Sequence, residues 1–381
     1  MESTFSKADK RYMQHAIELA RKGLYSAKPN PAVGCVLVKD DQVIGKGWHK
    51  QAGLPHAERV ALADAGKHAL GATAYVTLEP CSHYGRTPPC ADGLIEAGVT
   101  RVVVAMQDPN PLVSGQGIRK LQQAGIEVQI GLLESEAQSL NPGFIHVMQT
   151  KKPFVRVKIA SSLDGRTAMA NGESKWITGP ESREDVHKLR ARSGAIVTGI
   201  GTVLADDPSL TVRLSESQLT QVSLENDTCH PLRVVLDSRL NLPLDAKMLA
   251  AAGRTIVMTT HETLQANPEL AEKLIAKGAE LVAVSAHNNR LDIHSVLSYL
   301  VENESIRDVL VESGAQVAGS FIQSGAVNEL HCYMAPVLLG DKAKPMFVLD
   351  GLDHMVDKLN FEISSTDLFG KDIRLVMKPT E

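Results

Sequence analysis

The chain has 381 residues, enough for two domains with full cores, and its 43% hydrophobic and 22% charged residues are those of an ordinary folded protein. A formal net charge of −4 and 4% aromatic residues give no basic stripe with stacking rings, which argues against a nucleic-acid ligand and for a small-molecule one. No apolar run reaches the length of a membrane span, residues 1–14 do not read as a signal peptide, and five cysteines with no paired pattern suit a reducing, cytoplasmic setting.

Ser6 and Asp9 form a loose capping box for a helix running to Lys22, with Met13, Ile17, Ala20 and Leu24 on one face. Pro29-Asn30-Pro31 is a rigid turn into a strand over 33–38. Residues 39–42 make a hairpin turn, and 43–49 is the returning strand. Asn30 has two readings of equal weight, a turn residue or an amide that binds a ring edge. His56 opens a helix over 57–65, and a strand over 74–78 delivers Glu79-Pro80-Cys81. A helix over 90–97, a strand over 102–106, the loop 108–111, a helix over 117–124 and a strand over 128–130 complete an alternating α/β layer. A helix-rich connector over 132–148 breaks at Pro142-Gly143. The domain boundary is expected near Thr150, giving domains of 1–150 and 151–381.

The segment from His56-Ala57-Glu58 to Cys81 and Cys90 carries the clearest chemistry. One His and two Cys are the three donors of a catalytic zinc whose fourth position stays open for water. Glu58, two residues past His56, is too close in sequence to be a convenient ligand and is well placed as an acid/base. H-x-E followed by P-C and a second Cys is the pattern of zinc deaminases that act on amino-substituted base rings. There the zinc lowers the pKa of its water to about 7 and the Glu carries a proton to the departing ammonia. The general pattern has two residues between the cysteines; here there are eight, and Gly85, Pro88 and Pro89 let the insert loop out. Cys90 at a helix start gains from the helix dipole as a thiolate. His83 as a fourth ligand of a purely structural zinc is the competing reading.

In the second half, 154–160 is a strand running into the turn 161–166, Gly179-Pro180 precedes a helix over 181–192, and 195–199 is a buried strand. Residues 200–213 read as a ligand-binding loop, and 215–230 as a variable surface loop. Strands recur at 233–237, 255–260 and 281–284, with a helix over 293–301. The strand 308–312 leads into a small-residue turn over Gly314, Ala315, Gln316, Val317, Ala318, Gly319 and Ser320. Such a turn suits a phosphate, but it lacks the G-x-G-x-x-G spacing and reads equally as a tight helix entry with no ligand. Arg190 and Arg213 read either as phosphate ligands or as surface arginines.

Both halves together, from about Lys10 to Gly340, closely resemble the bifunctional deaminase/reductase family of riboflavin biosynthesis. The resemblance rests on Pro29-Asn30-Pro31-Ala32-Val33-Gly34, His56-Ala57-Glu58 and the stretch 79–90, whose long Cys81–Cys90 spacing is the family's own. In the second half it rests on Ser162-Leu163-Asp164-Gly165-Arg166, the stretch 172–178 and the stretch 202–213. It implies an N-terminal cytidine-deaminase-like three-layer domain with a catalytic zinc, and a C-terminal dihydrofolate-reductase-like domain. The implied reactions are hydrolytic deamination of a diaminopyrimidine ribosyl phosphate and then NADPH reduction of its ribosyl group to ribityl. The resemblance implies that His56, Cys81 and Cys90 bind Zn2+ and that Glu58 carries the proton. Ala160, Trp176, Thr202, Asp206, Ser238 and the seven residues Gly314 to Ser320 would line the NADPH site. Ser174, Arg190, Leu210, Arg213 and Glu312 would hold the reductase substrate. The expected partners are this small molecule and further copies of the chain in a homo-oligomer, with neither nucleic acid nor membrane. The alternative is a zinc nucleoside or nucleotide deaminase whose second half is inactive in hydride transfer.

Overall fold

The computed structural model describes residues 5–84, 88–111, 113–215, 219, 230–288 and 290–380. These form two compact units that divide between Lys151 and Lys152, with Leu219 grouped with the first.

The first unit opens with helix α1 (Lys7–Arg21). Ser6 Oγ accepts the Asp9 N–H and the Asp9 carboxylate accepts the Ser6 N–H, so the capping box is closed in both directions. Its sheet contains β1 (Gly34–Lys39), β2 (Gln42–Trp48), β3 (Thr73–Val76), β4 (Arg101–Val104) and β5 (Glu127–Ile130), in the order β2-β1-β3-β4-β5. β1 is antiparallel to both neighbours, whereas β3, β4 and β5 run parallel. Asp40 and Asp41 both take positive φ, the left-handed pair that a two-residue hairpin turn needs.

Small residues let the helices lie close on this sheet. A Cβ on Gly34 of β1 would overlap the Ala16 carbonyl of α1. A Cβ on Gly45 or Gly47 of β2 would overlap the Ala61 or Ala57 carbonyl of helix α2 (Ala57–Ala65). Side chains alternate along a strand, so β1 turns Gly34 to α1 and Cys35 to the other face, beside Glu58 of α2. Helices therefore cover both faces of a buried β1. Helices α3 (Cys90–Glu96), α4 (Gln116–Gln123), α5 (Glu134–Leu140) and α6 (Pro142–Thr150) complete the unit, with Pro142 at the first position of α6.

The second unit is built on nine strands. They are β6 (Phe154–Ser162), β8 (Ala195–Gly199), β9 (Leu232–Leu236), β10 (Thr255–Thr259), β11 (Ala279–Ala283), β14 (Asp308–Glu312), β15 (Glu329–Ala335), β17 (Phe361–Phe369) and β18 (Asp372–Pro379). Their order is β11-β10-β9-β8-β14-β6-β15-β18-β17. The first seven run parallel, and the β17–β18 hairpin adds antiparallel at the edge. β7 (Arg166–Ala168) pairs with β16 (Lys344–Pro345), and β12 (Ala286–His287) pairs with β13 (Arg290–Leu291). Every residue of β8 and β9 is buried, as expected of central parallel strands covered on both faces. The chain leaves β8 into α8 (Ile200–Asp206) and β14 into α13 (Ala315–Gln323), so the helix starts lie at the carboxyl ends of the central strands, where α/β sheets bind ligands.

One expectation fails here. Residues 200–206, read as loop, form helix α8 (Ile200–Asp206), and only 207–213 remains irregular. Gly201 and Thr202 are poor helix formers, and Val203 is the single buried residue of α8, so the sequence shows no helical period. Thr150 ends α6 and Lys151 follows in the left-handed conformation. Of the segment expected to be a variable loop, all but Leu219 between 216 and 229 lies outside the described residues, as do Gly85, Arg86 and Thr87.

Candidate active sites

In the first unit, two helix starts and one strand end converge. His56 is the N-cap residue of α2 in extended conformation and makes no side-chain cap, which leaves its imidazole free to turn elsewhere. Cys90 is the first residue of α3, and Cys81 follows β3. His56 Nδ1 lies 3.6 Å from Cys81 Sγ and 3.4 Å from Cys90 Sγ, and the Cys90 N–H donates to Cys81 Sγ at 3.2 Å. All three donor atoms lie within 4.8 Å of one another. Tetrahedral zinc with Zn–N and Zn–S bonds of about 2.0–2.3 Å sets neighbouring ligand atoms about 3.5 Å apart, so this donor set fits the ion with one position open. His83 is exposed and does not join the group.

Glu58, in the first turn of α2, is 3% exposed. Burial, reinforced by the charge of Cys81, pushes its carboxyl up to about 7. The Cys90 thiol donates to Cys81 and holds it down at about 4, with His56 adding to the effect. Cys90 is raised in turn by that contact and by burial. His56 is raised chiefly by its hydrogen bond with Cys81. A buried carboxyl raised to about 7 beside a soft donor set is an arrangement suited to hydrolysis.

Three residues to which no role was read from the sequence, His49, Asn141 and Glu79, complete this site. His49, buried just after β2, faces the Pro55 carbonyl through Nδ1 at 3.2 Å and the Asn30 amide Nδ2 through Nε2 at 3.1 Å. The carbonyl requires a proton on Nδ1, so Nε2 accepts from Asn30, and burial lowers the His49 pKa and keeps the ring neutral. Asn30 is thereby oriented with Oδ1 as its remaining acceptor. Asn141 supports the same turn from α6: its side chain accepts the Ala32 N–H and donates to the Ala32 carbonyl. Glu79, 5% exposed, accepts backbone N–H groups from Asp108, Gly115, Gly117 and Ile118 at 2.9–3.3 Å. It thus caps α4, whose own N-cap is a glycine, and ties the segment after β4 to the one carrying Cys81. No signal short of the fold shows this role for Glu79. His49 was legible only as a histidine ending a strand.

In the second unit, most of the expected residues gather at the carboxyl ends of adjacent strands. Ala160 lies near the end of β6, Glu312 ends β14, Thr202 and Asp206 sit on α8 after β8, and Ser238 follows β9. Gly314 is the N-cap of α13 (Ala315–Gln323), and its N–H donates to Thr202 Oγ1 at 3.0 Å. The expected turn over 314–320 is therefore one loop residue and the opening of a helix. Ala315, Gln316 and Val317 present its first N–H groups, while Ala318 and Gly319 are buried, Gly319 directly against the Val348 carbonyl. Ser320 donates to its own helix at Gln316. Beside this helix start, Ser313 Oγ is buried with no hydrogen-bond partner among the described residues. An open helix N-terminus and an orphaned hydroxyl fit a phosphate-bearing dinucleotide.

Ser174 Oγ donates to Asp206 Oδ1 at 3.4 Å, linking an expected substrate residue to an expected cofactor residue. Arg190 of helix α7 (Pro180–Arg192) forks onto the buried Glu312, with Nε and Nη2 at 2.6 and 2.8 Å from its oxygens, and donates to the Thr211 carbonyl at 3.1 Å. The Arg190 charge keeps Glu312 below the usual glutamate value despite burial. Leu210, at positive φ, is buried behind this segment, and Arg213 is exposed. Ser238 and Trp176 are held by residues outside the expected set. The Ser238 carbonyl accepts the Thr263 hydroxyl, and the Arg183 guanidinium lies 4.5 Å over the exposed Trp176 ring.

Comparison with known proteins agrees with this geometry. Residues 6–106 match the model for the cytidine and deoxycytidylate deaminase zinc-binding region, and residues 153–375 match the RibD C-terminal domain. The chain is 46% identical to riboflavin biosynthesis protein RibD of Escherichia coli over 369 residues, covering 96% of this chain and 98% of that protein. It superposes on Acinetobacter baumannii RibD with a TM-score of 0.88 at 49% identity, covering 98% of this chain and 99% of that one. A deaminase/reductase structure from Thermotoga maritima aligns with a TM-score of 0.83 at 36% identity, over 98% and 99% of the two chains.

Proposed function

The chain belongs to the RibD family, and on that premise we propose that it catalyses two successive steps of riboflavin biosynthesis. The first is hydrolytic deamination of 2,5-diamino-6-(5-phosphoribosylamino)pyrimidin-4(3H)-one, assigned to residues 1–150. The second is NADPH reduction of the ribosyl group to ribityl, assigned to residues 151–381. The observation that carries the reading is the convergence of His56, Cys81 and Cys90 beside a buried Glu58.

Zinc held by those three donors would supply an acidified water. Glu58, near-neutral in pKa and screened from bulk solvent, takes a proton and returns it to the leaving ammonia. Asn30, oriented by His49, offers Oδ1 to the pyrimidine edge. NADPH would supply the hydride that no side chain can donate. It would be held by Ala160, Trp176, Thr202, Asp206, Ser238 and the start of α13 at Gly314. Arg213 reaches the substrate phosphate, Ser174 and Leu210 line the substrate, and Arg190 fixes Glu312 and Thr211 in place.

Buried, unpaired Cys35 and Cys332 support a cytoplasmic location, and the described residues contain no helix long and apolar enough to cross a membrane. A homo-oligomer belongs to the same reading, supported by exposed Ile363 and Leu368 on the edge strand β17. The test is Glu58→Gln. Ammonia release should fall by about 100-fold or more with zinc retained, while pre-deaminated substrate still oxidises NADPH. Full ammonia release with zinc bound would refute the assignment. Ammonia release without any NADPH oxidation by the wild type would leave the narrower reading, a zinc deaminase with an inactive second half.

A further inference from the structure

Arg190 and Arg213 were alike in the sequence, and the structure separates them. The Arg190 guanidinium is occupied by Glu312 and the Thr211 carbonyl. The Arg213 side chain is exposed and enters no ion pair among the described residues, so it is the guanidinium with donors to spare. It is also carried on irregular chain, and something must fix where it reaches. Leu210 and Val212 anchor one side of the segment by burial, at 4% and 3% exposure. The other side rests on α7. One turn before Arg190 stands His187, whose Nδ1 accepts the Arg213 backbone N–H at 3.2 Å. α7 thus grips the segment twice, by a donor to the Thr211 carbonyl and by an acceptor for the Arg213 N–H.

We propose that His187 is a positioning residue for the reductase substrate: it holds the Arg213 backbone so that the guanidinium meets the substrate's phosphate monoester. This rests on the reading of Arg213 as the phosphate ligand. The grip works only while Nδ1 lacks a proton, because a protonated ring has no lone pair to offer an N–H. The surroundings keep it so. Burial, followed by the charges of Arg190 and Arg213, lowers the His187 pKa to about 4, against the opposing pull of Glu312 and of the Thr211 backbone. A neutral histidine between two arginines is thus an acceptor across the physiological range. A purely space-filling residue at this place would not need a nitrogen facing Arg213.

The test compares His187→Leu, His187→Asn and Arg213→Ala in the full chain, by NADPH oxidation on the deaminated substrate with and without its phosphate. The Asn side chain puts an oxygen where Nδ1 stands, so it preserves the acceptor. His187→Leu should raise KM for the phosphorylated substrate roughly 3- to 10-fold, the range a lost hydrogen bond gives. Its kcat, KM for NADPH and ammonia release should stay near wild type. His187→Asn should recover most of the lost affinity, and the dephosphorylated substrate should not distinguish His187→Leu from wild type. If Arg213→Ala raises KM for the phosphorylated substrate while His187→Leu does not, the inference fails and the phosphate reading of Arg213 stands. The inference also fails if His187→Leu and His187→Asn are equally impaired, or impaired alike on both substrates. If Arg213→Ala itself leaves KM unchanged, the phosphate reading falls and the inference with it.

Discussion

Glu58 and Glu312 are both buried glutamates at the edge of a site, and their surroundings drive them in opposite directions. Glu58 sits at the start of α2 among soft donors, and burial, reinforced by the charge of Cys81, outweighs the opposing pull of His56 and lifts it to about 7. Glu312 ends β14 under the fork of Arg190, and that charge holds it below its ordinary value although burial is again the largest influence. The first is therefore a group that can exchange a proton near neutrality. The second is a fixed anion locked to Arg190 at the end of a central strand. Proton transfer is wanted in a hydrolytic deamination, and a permanent charge is wanted where a substrate is to be gripped.

Substitutions separate the two roles. Cys90→Ala should have the largest effect, taking metal content from about one zinc per chain to none and abolishing ammonia release, as elemental analysis with an ammonia assay would show. NADPH oxidation on deaminated substrate should persist in that variant. Glu312→Gln should cost the second unit about 3–5 kcal/mol in chemical denaturation, because it strands the buried Arg190 charge. With a folded pKa below 4.5, the Glu312 stabilisation is present in full above pH 4.5 and is lost as pH falls below it, so the gap between wild type and variant should narrow in acid.

Glu58→Gln should do the reverse in metal-stripped protein. A folded pKa raised from 4.5 to about 7 makes the carboxylate a liability that is absent below pH 4.5 and grows up to pH 7. The substitution should then stabilise the first unit at pH 8, by on the order of 2–3 kcal/mol, and be near neutral at pH 4. Destabilisation at pH 8 would mean that the hydrogen bond from the Cys90 thiol to Glu58 outweighs the burial of its charge. Arg213→Ala should have the smallest effect, weakening binding of the phosphorylated reductase substrate by about 1.5–3 kcal/mol with stability unchanged.

The two sites also differ in how far the sequence showed them. The cluster of His56, Cys81 and Cys90 was legible because each sits at a local signal, His56 before a helix, Cys81 after a strand, and Cys90 after two prolines at a helix start. The α1 cap was legible for the same reason, since Ser6 and Asp9 satisfy each other within one turn. His49 and Glu79 were not, because their partners lie 19 and 29 to 39 residues away and exist only once the sheet is built. Helix α8 was hidden by Gly201 and Thr202 and by its burying a single residue, Val203. In the second unit, family resemblance named Arg190 and Arg213 together, and only the position of Glu312 shows which guanidinium is already engaged. The β17–β18 hairpin, with exposed apolar residues alternating irregularly along an edge, gave no clean strand pattern.

Parallel recording of ammonia release and NADPH oxidation shows whether one chain deaminates and then reduces. Purified protein would receive the diaminopyrimidine ribosyl phosphate with and without a zinc chelator, and in a separate reaction the deaminated compound. Both signals should appear on the first substrate, ammonia leading, and the chelator should silence both. On the deaminated compound NADPH oxidation should continue with the chelator present. NADPH oxidation on the first substrate without ammonia release, or no signal at all from zinc-loaded protein, would contradict the account.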